Sequence, residues 1–279
     1  MEPKEDAQPK RRPPRKAAPV RRPGKKAAPE KAPVAAQVSL PVVSVILPTF
    51  NEHQAIGPLI VRILDALSGV ATEIIVVDDA SPDGTTAVVQ ELAERDTRVR
   101  LLSRPRKMGL AGAVFAGVET AQGEYLCVMD ADSSHDPADL STMLARAQEG
   151  YDLVIGSRYA PGGGIHGVSR RRRVTSKLIS VAARILFRLP VPDVMTGYVV
   201  CHRRVLADMP THFSSEGFKF LFEVLTTQPQ LRVLEWPITF NDRVQGSSNA
   251  SAMEVLQLAL LTLRVLGWKA SWRLQGVRR

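Results

Sequence analysis

Short apolar runs alternate with segments of helical spacing from residue 42 to residue 159, and this order restricts the fold more than any other feature of the chain. The strand-like segments are "VVSVILP" (42–48), "EIIVVDDASPDGT" (73–85, a strand and its turn), "VRLLSR" (99–104), "EYLCVMDAD" (124–132) and "YDLVIGSRY" (151–159). The helix-like segments cover 55–69, 85–95, 109–121 and 137–150. Strands that alternate with helices pair in parallel, with helices on both faces of the sheet. We therefore predict an α/β fold with a mostly parallel, Rossmann-like sheet.

Polar residues follow four of these strands at the point where each strand ends. They occupy 48–52 after the first strand, 78–79 after the second, 130–132 after the fourth and 156–158 after the fifth. The carboxyl ends of parallel strands meet at one edge of a sheet, where α/β proteins bind their ligands. We therefore predict that these four segments line one ligand site.

Two carboxylates at that edge, Asp130 and Asp132, are separated by a single residue. Aspartates this close repel each other unless a cation lies between them, and their oxygens suit a hard divalent ion. The pair therefore indicates Mg²⁺ or Mn²⁺ shared with substrate phosphates, although such a pair is also common in solvated turns. The chain has no Gly-x-x-x-x-Gly-Lys-Ser/Thr loop and no Gly-x-Gly-x-x-Gly after its first strand, so it lacks the usual signals of P-loop NTPases and dinucleotide-binding dehydrogenases.

These polar segments belong to longer motifs that occur in a fixed order: "VILPTFNE", "VVDDASPDGT", "RKMGLAGAVFAG", "MDADSSH" and "IGSRYAPGGG". As an ordered set they resemble the nucleotide-sugar-binding half of family 2 glycosyltransferases, which implies the GT-A fold. Later motifs resemble the polyprenyl-phosphate (dolichol-phosphate) mannosyltransferases of that family: "GGGIHGVSRRRRVTSKLIS", "PVPDVMTGYVVCHRRVL", "SSEGFKFLFEVL" and "VLEWPITFNDRVQGSS". The resemblance implies a catalytic domain at residues 41–250.

The resemblance also implies roles for particular positions of this chain. It implies that the nucleotide sugar contacts Pro48, Phe50, Glu52, Asp79, Gly109, Asp130, Ala131 and Asp132. The metal ligands that it implies are Asp130, Asp132 and Ser134. The lipid phosphate is expected at Arg158, Arg172 and Ser176. The residues implied for catalysis are Asp132, Arg158, Arg172 and Arg243.

Some positions also have a plain structural interpretation. Glu52 precedes a predicted helix, and a carboxylate stabilises the first turn of a helix. Asp83 in "SPDGT" suits a turn better than a ligand contact. His135 precedes Asp-Pro, which suits the start of a helix, and the run Gly162–Gly164 suits a loop that must move.

The segment "SRRRR" (169–173) follows Arg158 closely and suits an anionic acceptor, because arginine binds phosphate well. A phosphate monoester is mostly dianionic at neutral pH, so it needs cations to position it and no general base. We therefore predict inverting transfer of mannose from GDP-mannose to dolichyl or polyprenyl phosphate. The alternatives are transfer of glucose from UDP-glucose to the same acceptor, and transfer to a hydroxyl acceptor, which requires a base.

Residues 1–40 contain eleven Lys and Arg and four acidic residues, a charge of +7 out of +9 for the whole chain. They are rich in Pro and Ala and contain no aromatic residue, which predicts a disordered basic tail. No apolar segment follows the charges, so the tail does not have the pattern of a secretory signal. It is expected either to be attracted to anionic lipid or to act only as a solubilising extension, and no specific nucleic-acid partner is predicted.

Two further segments suit a bilayer surface. In the predicted helix 177–189, one face carries Lys177, Arg184 and Arg188, and residues 251–279 predict an amphipathic helix with Trp beside basic residues. The alternative for both segments is a helix that packs against the core, and it is the weaker one for the C-terminal segment. No run of about 20 apolar residues predicts a membrane span. The two cysteines allow no disulfide framework, which indicates a reducing compartment. We therefore predict a protein bound peripherally to the cytoplasmic face of a membrane, with a membrane partner subunit left open.

The chain departs from the family pattern at two positions. Asn249 stands in "GSSN" where Lys is usual, and Tyr198 stands where Phe is usual. The first change removes a cation near the donor phosphates and keeps the choice between GDP-mannose and UDP-glucose open. A non-catalytic binder of nucleotide sugars is disfavoured, because Asp130 and Asp132 are both intact.

Overall fold

A seven-stranded sheet forms the centre of the protein in the computed structural model, which describes residues 40–207, 209 and 220–242. The strands are β1 (Val43–Thr49), β2 (Thr72–Asp78), β3 (Val99–Ser103), β4 (Tyr125–Val128), β5 (Leu153–Ser157), β6 (Gly164–His166), β7 (Val199–His202), β8 (Val233–Pro237) and β9 (Thr239–Asn241). The helices are α1 (His53–Ala66), α2 (Thr85–Arg95), α3 (Leu110–Thr120), α4 (Leu140–Gln148), α5 (Arg170–Phe187), α6 (Arg203–Ala207) and α7 (Phe220–Thr227), with a 3₁₀ turn at Pro137–Asp139. The predictions for the tail, the C-terminal helix and Arg243 lie outside the described residues.

The strand order in the main sheet is β3-β2-β1-β4-β7-β5-β8. Strand β7 runs antiparallel to both of its neighbours, β4 and β5, and every other pair in the sheet is parallel. The carboxyl ends of β1, β2, β4 and β5 therefore meet at one edge, as the sequence predicts. A separate two-stranded sheet pairs β6 with β9 in parallel.

Helices cover both faces of the sheet, which confirms the predicted layer order. One face packs against α1, α2 and α4, and the other packs against α3, α6, α7 and the end of α5. Every residue of β1, β2 and β5 is buried, as expected for strands that are covered on both sides. The two cysteines lie in the adjacent strands β4 and β7, where burial raises the pKa of both thiols, that of Cys201 to about 12.

The helix predicted over 177–189 was wrong at both ends, because the structure has α5 at Arg170–Phe187. The hydroxyl of Ser169 accepts a hydrogen bond from the backbone N–H of Arg172, so the helix begins with the arginine run. Arg188 adopts a left-handed conformation with φ of 54°, which ends the helix. Arg188 therefore lies beyond the helical face to which the sequence assigned it.

Candidate active site

The loop between β3 and α3 is tied to the end of β2 by Asp79. One oxygen of the Asp79 carboxylate accepts a hydrogen bond from Arg104 at 2.6 Å, and the other accepts from the backbone N–H groups of Met108 and Gly109 at 2.9 and 3.0 Å. Asp79 is only 4% exposed. Two of the residues expected at the nucleotide therefore contact each other directly, and Asp79 orders the loop that leads into α3.

Three more of the expected nucleotide contacts lie beside this loop, at the end of β1. Pro48 is buried within β1, and the Phe50 ring is half-buried with Lys107 Nζ 3.8 Å from its centre. Glu52 occupies the N-cap position of α1, but its side chain makes no capping hydrogen bond there. Glu52 therefore stands at the start of the helix, as the sequence predicts, without capping it through a side-chain hydrogen bond, and a role at the nucleotide stays a prediction.

The residues expected at a metal lie directly after β4. Asp130 is partly exposed, whereas Asp132 and Ser134 are buried. One oxygen of Asp132 accepts a hydrogen bond from the Ser134 backbone N–H at 3.0 Å, which turns the chain back toward the carboxylates. The Ser134 hydroxyl oxygen is buried and has no hydrogen-bond partner among the described residues, and a buried unsatisfied oxygen is costly unless a ligand satisfies it.

This donor set fits a hard divalent ion that shares its ligands with a substrate. Two carboxylates and a hydroxyl supply oxygen atoms, which Mg²⁺ and Mn²⁺ prefer, and leave coordination positions for phosphate oxygens and water. Within the described part of the chain no group of three His, Cys, Asp or Glu side chains forms a metal site by itself. The residues present therefore suit an ion that binds together with a diphosphate.

Gly197, just before β7, lies against the carboxylate of Asp130. A Cβ atom at position 197 would come within 2.3–2.4 Å of Cγ and both oxygens of that carboxylate. No real Cβ contact is that short, so only glycine leaves room for Asp130 where it is. The inserted strand β7 thus brings this glycine next to the end of β4.

A cavity of about 590 Å³ extends from Asp130 to the first turns of α5. Its lining combines Asp130 with the three residues expected at the lipid phosphate, namely Arg158, Arg172 and Ser176. Further cations come from Arg171 and Arg173. The apolar part of the lining includes Ile165, Ile179, Met195, Phe220, Leu221 and Phe240. One space therefore joins an acidic end, a cationic wall and an apolar wall.

Arg158 is held in this wall by Asp193, which is fully buried. The backbone N–H and Nε of Arg158 donate to one carboxylate oxygen of Asp193 at 2.9 and 2.8 Å, and Nη2 of Arg158 donates to the other oxygen at 2.7 Å. Burial acts to lower the pKa of Arg158, but the hydrogen bonds and charge of Asp193 outweigh burial and raise that pKa. The guanidinium therefore stays charged.

The other two residues expected at the lipid phosphate lie on α5. Arg172 Nη1 pairs with Asp242 at 3.1 Å, and both side chains are partly exposed. The Tyr159 hydroxyl donates to the Ser176 hydroxyl oxygen at a long 3.4 Å. All three lipid-phosphate candidates thus line one cavity, and the bond to Asp242 uses only one of the three guanidinium nitrogens of Arg172.

His135 is buried beside Asp130 in this site, whereas a residue that only starts a helix would not need to be buried. It is 2% exposed, its Nε2 is 3.6 Å from Asp130 Oδ2, and its ring packs against Tyr198 and Phe240. Neither ring nitrogen has a hydrogen-bond partner within residues 40–207 and 220–242. No local pattern in the sequence predicts the contact between His135 and Phe240, because more than a hundred residues separate them.

Comparison with known proteins identifies the family of this chain. The model of "Glycosyl transferase family 2" matches residues 44–209, more than half of the sequence. The chain belongs to glycosyl transferase family 2. The resemblance seen in the motifs is therefore confirmed, and the chain is a glycosyltransferase of this family.

Two curated relatives of this family 2 glycosyltransferase are similar over most of the chain. A "Dolichol-phosphate mannosyltransferase" of Pyrococcus furiosus is 34% identical over 231 residues, which are 81% of this chain, and the chain spans 64% of the length of that relative. A "Polyprenol monophosphomannose synthase" of Mycolicibacterium smegmatis is 36% identical over 241 residues, covering 84% of this chain and 89% of the relative.

Solved structures support the GT-A fold of this family 2 glycosyltransferase. Mannosyl-3-phosphoglycerate synthase from Rubrobacter xylanophilus matches with a TM-score of 0.59 and 19% identity, over 86% of this chain and 77% of the other. Glucosyl-3-phosphoglycerate synthase from Mycobacterium tuberculosis, solved with Mn²⁺ and UDP, matches with a TM-score of 0.58 and 18% identity, over 81% and 78% of the two chains.

None of the helices in the described residues is long and apolar enough to cross a bilayer.

Proposed function

We propose that this family 2 glycosyltransferase transfers mannose from GDP-mannose to a dolichyl or polyprenyl phosphate. The observation that carries the proposal is the single cavity in which Asp130 faces Arg158, Arg172 and Ser176 beside an apolar wall. A sugar diphosphate at the acidic end and a lipid phosphate at the cationic end would then meet within one space. The names of the two curated relatives support this donor sugar and this acceptor class.

The residues of the chain divide the work between the two substrates. Asp130, Asp132 and Ser134 would hold Mg²⁺ or Mn²⁺, which offsets the charge on the departing diphosphate. A solved structure of the same fold that contains Mn²⁺ is compatible with this assignment. Pro48, Phe50, Glu52 and the loop ordered by Asp79 lie at the same edge and are assigned to the nucleoside.

The acceptor side needs positioning and no proton transfer. An oxygen of the lipid phosphate attacks the anomeric carbon, the bond from that carbon to the diphosphate breaks, and GDP leaves with the bonding electrons. Attack from the face opposite the leaving group inverts an α-linked donor to a β-linked product. Arg158, Arg172 and Ser176 orient the phosphate, which is already an anion at neutral pH.

The cavity favours a phosphate acceptor over a hydroxyl acceptor. A hydroxyl would need a general base within hydrogen-bond reach of its proton. His135 lines the cavity, but both of its ring nitrogens are buried within the protein. Its position therefore does not favour base catalysis on an acceptor there.

Helix α5 supports docking of the enzyme on a membrane. Its exposed side carries large apolar side chains with exposed fractions between 37% and 72%: Val174, Leu178, Val181, Ile185 and Leu186. Exposed basic residues, Arg170, Arg171, Lys177 and Arg184, flank them. The same helix lines the cavity through Ser176 and Ile179. We infer peripheral binding to the anionic cytoplasmic leaflet, with the acceptor site beside the contact.

A transfer assay with the full chain tests the proposed reaction. It supplies Mg²⁺ or Mn²⁺, polyprenyl phosphate, and radiolabelled GDP-mannose and UDP-glucose in parallel. We expect label to enter the lipid phase only from GDP-mannose, and Asp132→Asn to lower the rate by about 10²-fold or more, since it weakens charge stabilisation of the leaving group. Asp65→Asn, an exposed carboxylate on α1, is the matched control and should keep full activity. Transfer only from UDP-glucose would correct the donor, and no transfer to lipid phosphate would contradict the acceptor.

A further inference from the structure

We propose that Asp193 is a positioning residue that aims Arg158 at the acceptor phosphate, an inference that rests on the proposed function. Asp193 lies 35 residues after Arg158, in the segment that leads into β7. Among the described residues, Asp193 is not part of the cavity lining, and its side chain is fully buried against Arg158. Its influence on a ligand therefore passes through the guanidinium.

The hydrogen bonds of Arg158 leave one edge of its guanidinium for a ligand. Nε and Nη2 both donate to Asp193, whereas Nη1 has no hydrogen-bond partner in residues 40–207 and 220–242. The rings of Tyr159 and Phe240 pack 5.4 and 5.3 Å from the guanidinium carbon. The side chain is 11% exposed and lines the cavity. A group held in its plane by a carboxylate and packed between side chains cannot swing freely, so its remaining N–H groups have a fixed direction.

Charge balance separates the role of this pair from that of the arginines on α5. Because Asp193 neutralises Arg158, the pair adds little net charge to the cavity, while Arg171 and Arg173 supply attraction for an anion. Arg158 therefore contributes direction, and a bidentate clamp on a guanidinium is a geometry that asparagine cannot reproduce. The position of a reacting phosphate matters steeply, since a displacement of about 1 Å can lower a rate by about 10²-fold.

The segment that contains Asp193 also ends at Gly197, the residue packed against Asp130. The residues between them, Val194, Met195 and Thr196, line the cavity. Five consecutive residues thus fix the arginine on the acceptor side and the aspartate on the donor side. This segment therefore explains how Arg158 and Asp130, which follow different strands, keep a set separation.

A double-mutant cycle tests the inference with a binding readout and a kinetic readout on the full chain. The variants are Asp193→Asn, Arg158→Ala and the double variant, with farnesyl phosphate as the probe in calorimetry and polyprenyl phosphate in the transfer assay. We expect Asp193→Asn to lower kcat/KM for the acceptor by about 10²-fold and to weaken farnesyl phosphate binding, with affinity for GDP unchanged. The double variant should bind farnesyl phosphate no more weakly than the single variant Arg158→Ala, because Asp193 acts only through Arg158.

Controls separate this role from a loss of folding. Asp152→Asn is the matched control, since Asp152 accepts from Arg204 at 2.7 Å outside the cavity and should leave acceptor binding unchanged. Asp193→Glu keeps the charge and should recover part of the acceptor affinity. Effects of the two substitutions that simply add, or equal losses for GDP and farnesyl phosphate, would overturn the inference and leave the proposed function standing. A wild-type protein that does not bind farnesyl phosphate would overturn both.

Discussion

The contact between Gly197 and Asp130 shows how the absence of a side chain at one position leaves room for a carboxylate of the candidate site. The three terminal atoms of Asp130 occupy the space that any Cβ at position 197 would need. Asp130 follows the end of β4, and Gly197 lies just before the inserted strand β7, so the contact exists only in the folded sheet. A side chain at position 197 would therefore collide with the Asp130 carboxylate before it met the apolar core.

The substitution Gly197→Ala should displace Asp130 and weaken the site that it helps to form. We expect transfer to fall by about 10²-fold and the affinity for Mn²⁺ in the presence of GDP to fall by about tenfold or more, because a metal ligand leaves its position. Electron paramagnetic resonance of Mn²⁺ measures the second quantity without turnover. Gly57→Ala in α1 is the control, since its Cβ would meet only Val88 at an ordinary 3.5 Å. Unchanged Mn²⁺ affinity in Gly197→Ala would contradict this prediction.

The sequence predicts those residues of the candidate site that directly follow a strand. It does not predict residues whose contacts depend on how distant strands pair. Asp130, Asp132 and Arg158 follow strands directly, so strand order alone brings them to one edge. The roles of Asp193 and Gly197 depend on β7 running antiparallel between β4 and β5, and no periodicity in the sequence announces that insertion. The sequence motif contains both residues, but it does not reveal that Asp193 contacts Arg158 or that Gly197 contacts Asp130.

At the scale of elements, helix α5 has two functional surfaces: one lines the cavity, and the other carries exposed apolar side chains. Only Ser180, Ala183 and Phe187 of α5 are buried, so most of its circumference faces the cavity or the outside. Apolar side chains that stay exposed beside basic ones are typical of helices that lie in a membrane interface. The sequence places the start of this helix seven residues too late, because the run of four arginines obscures the N-cap at Ser169, and docking through α5 stays a prediction.

The double substitution Leu178→Glu with Ile185→Glu should weaken binding to anionic vesicles. These side chains are 64% and 72% exposed, so the change removes apolar contact and adds like charge without opening the core. We expect the affinity for phosphatidylglycerol vesicles to fall by about tenfold or more in co-sedimentation. Val61→Glu, at a 51% exposed site on α1, is the control and should bind normally. Equal vesicle binding by the double variant and the wild type would rule out docking through α5.

At the scale of the whole molecule, the sheet is fastened at the end opposite the site by Glu73 in β2. Its carboxylate accepts hydrogen bonds from Ser44 in β1 and the Gln122 backbone N–H, both at 2.6 Å, and from Arg100 in β3 at 2.7 Å. Burial acts to raise the pKa of Glu73, but these hydrogen bonds and the charge of Arg100 bring that pKa below its ordinary value of 4.5. Three strands and the loop before β4 therefore share one ionised group.

Removing this charge should lower stability in a way that depends on pH. Because the pKa of Glu73 is lower in the folded state, its contribution is present above pH 4.5 and is lost as pH falls through the folded-state value. We expect Glu73→Gln to lower the free energy of unfolding by about 1–3 kcal/mol at pH 7, with a smaller difference from wild type in acid. Urea denaturation at pH 7 and pH 4 measures both, and Glu119→Gln on the exposed side of α3 is the control. A difference that does not change with pH would contradict the assigned charge.

The antiparallel strand β7 also sets an order of events during synthesis of the chain. Strands β1 to β4 can pair as soon as residue 128 has left the ribosome, but β5 has only β7 and β8 as neighbours, and these begin at Val199 and Val233. A nascent chain thus carries the paired strands β1 to β4 while β5 still lacks a neighbour, since β7 begins about 40 residues after β5 ends. Asp193 and Gly197 are synthesised just before β7, so the candidate site cannot be assembled until that strand has been made.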